Sequence, residues 1–135
     1  PCGTLFPYTT LFRSGAGDIM KIRTKIWISD DHEQVIFGNG RVRILETIQR
    51  LGSMNKAAQE LKMSYRALWG RIKSTEDRLG RKILVTHAGG GRHGGSSLTP
   101  DGENLLKAYK QLRNEIVALA DKEFEKIFGK NQDDT

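Results

Sequence analysis

Between residues 62 and 82 the chain carries seven basic side chains, Lys62, Arg66, Arg71, Lys73, Arg78, Arg81 and Lys82, against only Glu76 and Asp77. Positive charge gathered this densely suits a polyanion, whose phosphates it neutralises while condensed counterions are released. A helical period of 3.6 would sort the stretch into two arcs. Tyr65, Leu68, Trp69, Ile72, Glu76 and Leu79 fall on one, and Arg66, Ala67, Gly70, Lys73 and Ser74 on the other. The second arc is basic and without bulk, which fits a helix that must enter a groove about 12 Å wide. Arg66, near the N-terminal end, has the reach for guanine O6 and N7 and Lys73 for a phosphate, while Ser64 and Arg71 are placed to meet the backbone. A charged arc is also what ordinary solvation of an outer face produces, and on this arc alone the two explanations weigh the same.

The other reactive side chains offer little. His32, His87 and His93 have no i, i+4 pairing, and no Ser-His-Asp set or carboxylate pair has motif spacing, so catalysis is not expected. His32 beside Asp30, Asp31 and Glu33 reads as a solvated turn before it reads as a metal site. No cofactor is expected. Gly89 to Gly94 match G-x-G-x-x-G literally, but no helix opens at the last glycine and no βαβ unit surrounds it, so nucleotide binding is not expected either.

The elements that must position the basic arc are written around it. Ser53 and Ser64 are each good N-cap residues standing before an apolar-periodic run, which predicts two helices. Met54, Ala57, Ala58 and Leu61 share a face of the first, and only Lys62 and Met63 separate it from the second cap. A connection that short forces a steep crossing, the outline of a helix-turn-helix. Ahead of it, RVRILETIQRLG predicts a supporting helix with Val42, Ile44, Leu45, Ile48 and Leu51 inward and Gly52 as C-cap. Residues 21–29 alternate strictly and QVIF is β-rich, so DDHE is read as the turn of a hairpin, with Trp27 covering a helix or a dimer contact.

Behind the basic helix, KILVTHAGGGRHGGSSL reads as a second hairpin, a wing whose tip carries Arg92 and His93 among glycines that let backbone approach phosphate or the minor groove. Thr99 and Pro100 open a last helix reaching about residue 128, with Asp101 and Glu103 at the positive end of its dipole. Leu105, Tyr109, Leu112, Ile116 and Leu119 keep heptad spacing, continued on neighbouring stripes by Phe124 and others. This is more apolar surface than one small domain covers, so Leu112, Ile116, Leu119 and Phe124 are expected to pack on a second copy.

At 135 residues the chain has room for one small domain with an extension, and 22 Lys and Arg against 16 Asp and Glu give +6. The one cysteine, Cys2, excludes a disulfide framework, and no run of about 18 apolar residues is present to span a bilayer. A reducing cytoplasm fits, and no membrane is expected. Residues 1–19 lack a signal-peptide pattern, TLFPYTTLFRS resembles translated adapter or cloning sequence, and Met20 is a plausible start. The expected organisation is a disordered or artefactual leader at 1–19, a winged helix-turn-helix with its hairpin at 20–98, a dimerisation helix at 99–128 and a loose tail at 129–135. The fold class is mainly α with small β.

Taken together, KIRTKIWI, FGNGR, GSMNKAAQELKMSYRALW and AGGGRHGGSSLTPDGENLL resemble the ModE family of molybdenum-responsive transcriptional regulators, specifically their N-terminal winged helix-turn-helix, which is similar to that of LysR-type regulators. The resemblance runs from residue 21 to about 128. It implies a homodimer, joined through the N-terminal hairpin and the last helix, that binds an inverted-repeat operator in double-stranded DNA. Lys62 departs from the family's glycine at that turn, which implies a left-handed lysine or an altered turn. Molybdate sensing in the family uses a separate C-terminal module, and this chain stops before one begins, so direct molybdate binding is not expected. A second class of function stays open at this point, a winged-helix interaction module whose basic face meets an acidic protein.

Overall fold

The computed structural model describes residues 12–13, 19–87 and 95–129. Among the described residues six short strands and four helices follow in the order β1 (Phe12–Arg13), β2 (Ile19–Met20), β3 (Trp27–Ser29), β4 (Val35–Gly38), α1 (Asn39–Leu51), α2 (Met54–Glu60), α3 (Tyr65–Leu79), β5 (Leu84–His87), β6 (Gly95–Leu98) and α4 (Pro100–Gly129). Ile26–Tyr109 forms one compact unit; the chain before Ile26 and from Lys110 onward belongs to a second. In the second unit β1 pairs antiparallel with β2. The rest of the leader and the tail beyond residue 129 lie outside the described residues.

Local sequence sets the helix ends in the larger unit. Gly52, at φ 68°, closes α1 by donating its N–H to the Ile48 carbonyl at 2.7 Å, a left-handed position where a side chain would be strained. Ser53 and Ser64 then accept N–H bonds from Lys56 (3.3 Å) and Ala67 (3.0 Å), capping α2 and α3. Such caps are each worth about 1 kcal/mol. Between the two helices Lys62 takes the left-handed conformation, φ 56°, which the departure from glycine had left as one of two alternatives.

The core of this unit is Phe37, Val42, Ile44, Leu45, Ile48, Met54, Ala57, Ala58, Leu68, Ile72, Ile83, Leu98, Leu106 and Tyr109. Three helices therefore share one apolar face, as the periodicity required. The start of α4 completes it. Tyr109 meets Phe37 edge-on at 5.3 Å, and its hydroxyl donates to the Ile26 carbonyl at 2.6 Å. The wing strands pair from Leu84↔Leu98 to His87↔Gly95.

Three expectations are corrected. The strand over 21–29 shrinks to Trp27–Ser29, because its partner β4 runs only from Val35 to Gly38 before α1 begins, and a ladder cannot outrun its partner. Asp30 fixes the intervening turn by accepting from the His32 and Gln34 N–H groups at 2.8 and 2.9 Å; the Gln34 bond foremost lowers the pKa of its carboxyl. Helix α1 starts at Asn39 rather than after Gly40. Finally, Tyr65 and Trp69 are not inward: they stay 46% and 49% exposed. The polar Thr75 is fully buried instead, donating to the Ile36 carbonyl at 2.6 Å, and this turns the buried arc of α3 toward Leu68, Ile72 and Thr75 so that the two aromatics fall on its edge.

A candidate nucleic-acid interface

Helix α3 is fixed from three sides by polar contacts beneath its outer face. Toward the first hairpin, Thr75 and Arg78 donate to the carbonyls of Ile36 and Val35. Toward the wing, the buried Glu76 accepts from the Ile83 and Leu84 N–H groups at 2.9 and 3.3 Å, with Lys82 Nζ at 3.8 Å from its other oxygen. A buried carboxylate costs several kcal/mol unless it is bonded in this way, so the start of β5 and the middle of α3 hold each other in place. Toward α1, Arg41 donates to Ser74 Oγ at 3.0 Å and to the Arg71 carbonyl at 3.4 Å. The pKa of Arg41 is lowered, first by burial and then by the charges of Arg71 and Arg78.

What remains on the outside mixes basic and small side chains with the aromatic Tyr65 and Trp69. Arg66, Ala67, Gly70 and Arg71 are exposed, and Arg66 has no ion pair among the described residues. A methyl group added at Gly70 would meet nothing within 4 Å. Lys73 is 41% exposed and pairs with Asp77 at 3.2 Å, an i, i+4 contact worth only about 0.3–0.5 kcal/mol and replaceable by a stronger anion. Ser64 and Ser74 are already engaged, one as the α3 cap and the other with Arg41 and the Arg71 carbonyl. Arg92 and His93 lie outside the described residues.

The wing that should flank this helix is braced by close backbone approaches that no pattern in the sequence announced. A Cβ on Gly102 would stand 2.3 Å from the Ile83 carbonyl oxygen, and one on Gly95 would stand 2.9 Å from that of Gly52. Thr99 adds bonds from both ends, donating its N–H to the Ile83 carbonyl at 3.1 Å and its hydroxyl to the Lys82 carbonyl at 2.6 Å. Its oxygen also accepts from Gly102 N–H at 3.0 Å, capping α4 as the Thr-Pro pair predicts.

The residues expected to meet a second copy are in water. Trp27 is 55% and Leu119 57% exposed, Leu112 is exposed as well, and Ile116 and Phe124 are half-buried. Phe124 and Phe128 stack with ring centres 4.9 Å apart. Among the described residues no three His, Cys, Asp or Glu side chains gather to hold a metal, and no helix is long and apolar enough to cross a membrane.

Comparison with known proteins follows the same outline. Residues 40–103 match the family model described as bacterial regulatory helix-turn-helix protein, lysR family. The chain is similar to the molybdenum transport protein ModE of Azotobacter vinelandii, 34% identical over 64% of this chain and 32% of that protein. It is also similar to the transcriptional regulator ModE of Haemophilus influenzae, 36% identical over 66% of this chain and 35% of the relative. The matched region thus spans about a third of these curated relatives. Among solved structures, a CbnR DBD–DNA complex aligns with a TM-score of 0.48 at 20% identity, covering 62% of this chain and 91% of that one.

Proposed function

We propose, on the premise that residues 40–103 are a LysR-type helix-turn-helix of a chain similar to ModE regulators, that this protein is a transcriptional regulator which reads an inverted-repeat DNA site as a homodimer. The observation that carries the reading is the outer face of α3. Its inner side is committed to the hairpin, the wing and α1, and its outer side presents the exposed Arg66, without an ion pair among the described residues, beside the small Ala67 and Gly70.

In this reading α3 lies in the major groove. Arg66 makes a forked hydrogen bond to a guanine, and no bulk at Ala67 or Gly70 keeps the helix axis off the base edges. Lys73 exchanges Asp77 for a phosphate, and Arg71 meets the backbone; the entropy of released counterions supplies the sequence-independent part of the affinity. Ser64 and Ser74 serve from below, holding the helix start and Arg41 respectively, with their hydroxyls near the same backbone. Arg92 and His93 extend the contact to the flanking groove. Two copies joined through the apolar stripe of Leu112, Ile116, Leu119 and Phe124, with Trp27 contributing from the hairpin, place two such helices about one helical turn of DNA apart, roughly 34 Å.

Selection from random duplex DNA tests this directly, and a palindrome with half-sites at that spacing is the expected product. In gel shifts on the selected site, Arg66→Ala should lose about 1–3 kcal/mol of discrimination at one base pair per half-site. Lys73→Ala should weaken all sequences alike and reduce the salt slope by about one. Wild-type binding by both variants would remove α3 from the groove. Release of all duplexes by about 200 mM salt with no preferred sequence would instead favour an acidic protein partner.

A further inference from the structure

Beside α3, on the side away from the wing contacts of Glu76, an open cavity of about 260 Å³ lies between the beginning of α1 and the turn after α2. Gly40, Arg43, Ile44, Leu61, Met63 and Arg71 line it. Its chemistry is divided. Ile44 is buried and Leu61 and Met63 are half-buried, giving an apolar lining. Arg43 of α1 and Arg71 of α3 are exposed, and neither forms an ion pair among the described residues.

We propose that this cavity seats one nucleotide unit of the DNA backbone, its phosphate between Arg43 and Arg71 and its deoxyribose against Ile44, Leu61 and Met63. The inference rests on the reading that α3 enters the major groove, and adds to it a contact made by α1, an element outside the helix-turn-helix pair. Three observations lead to this ligand. Two arginines from different helices, Arg43 and Arg71, line one hollow, and arginine is the side chain suited to forked recognition of a phosphate. The lining sets Ile44, Leu61 and Met63 beside the two arginines, which suits a phosphate carrying a sugar. The surroundings are also over-supplied with positive charge: Arg41 is partly buried within reach of the Arg71 and Arg78 charges, and its pKa is lowered accordingly. An anion seated here relieves that repulsion.

The position explains the use. Arg71 and Ser74 lie on the flank of α3 that Arg41 ties to α1, so a strand leaving the groove on that flank meets Arg43 next. The opposite flank carries Lys73. The two strands of the duplex are then held by different elements, one by α1 together with Arg71 and the other by Lys73.

The test uses the full chain and the selected duplex with single phosphates replaced, one at a time, by neutral methylphosphonates. Wild-type protein should lose about tenfold in affinity at one phosphate per half-site, the scale of a charged hydrogen-bonded contact. Arg43→Ala should lose about as much on the unmodified duplex, show a salt slope smaller by about one per half-site, and be indifferent to neutralisation of that same phosphate while keeping its base preference. Arg43→Lys should recover part of the loss. The Arg43 side chain is exposed, so a circular dichroism spectrum like that of wild type is expected of both variants. If Arg43→Ala binds and responds to salt as wild type does while Arg66→Ala still loses base preference, the cavity is not a backbone site and the groove reading stands. Should Arg43→Ala abolish binding of inorganic phosphate to the free protein yet leave the methylphosphonate profile unchanged, the site belongs to a free anion and the proposal is overturned. If Arg66→Ala and Lys73→Ala are also silent, the groove reading itself has failed.

Discussion

Helix α3 and the distal part of α4, beyond Lys110, both leave large side chains in water, yet their surfaces differ in kind. On α3 the exposed set mixes Arg66 and Arg71 with Tyr65, Trp69 and the small Ala67 and Gly70; on distal α4 the large exposed side chains are Leu112, Leu119, Ile127 and Phe128. The cationic part of the first gains much from a polyanion, through phosphate neutralisation. The second gains about 1.5–3 kcal/mol for each large side chain removed from water and nothing from a polyanion. The basic side chains of α3 therefore suit a polyanion, whereas the stripe on distal α4 suits an apolar surface. The difference teaches that exposure alone says little about purpose, whereas the chemistry of what is exposed separates a reading face from an assembly face.

The largest expected effect lies on α4. Leu119→Glu should dissociate the homodimer and lower affinity for a two-half-site operator by about 10²-fold or more, since the second half-site would no longer be bound intramolecularly. Sedimentation and gel shifts would show it, and an unchanged sedimentation coefficient would break the contrast by removing the assembly face. On α3, Gly70→Ala separates fold from function. With open space around that position the alanine should stabilise the domain by about 0.8–1 kcal/mol in urea unfolding, while the added methyl weakens operator binding. Gains in both would mean that nothing approaches the helix there. A smaller effect is expected at the turn: Lys62→Gly relieves a left-handed side chain at φ 56° and should add up to about 1 kcal/mol of stability with no change in base preference.

Much of the helix-turn-helix was legible because its signals are local. Ser53, Ser64, Gly52 and Gly80 mark helix ends within one turn of themselves, and the inward residues of α1 and α2 follow from spacing alone. What stayed hidden needed tertiary contact. Periodicity locates the buried arc of α3 without fixing its edges: it puts Trp69 inside and gives no reason to bury the polar Thr75, whereas the hydroxyl of Thr75 finds the Ile36 carbonyl and the indole of Trp69 is half in water. The first hairpin was drawn too long because alternation in one strand carries no information about the length of its partner. Nothing in the spacing of Arg41 and Arg43 points to α3; only the packing of α1 on α3 brings Arg41 to the Arg71 carbonyl and lines one cavity with Arg43 and Arg71. Glu76 was placed on the inward side from spacing, but its two N–H partners lie beyond the helix end, where no pattern points to them.

The contact of Gly102 with the Ile83 carbonyl has a mechanical consequence. Main chain lies against main chain there, with no room for a side chain between, so a side chain at 102 would force the first turn of α4 away from the root of the wing. The next link is the Ile83 N–H, which donates to the Glu76 carboxylate, so the start of α4, the root of the wing and the middle of α3 are joined by an unbroken run of backbone-anchored contacts.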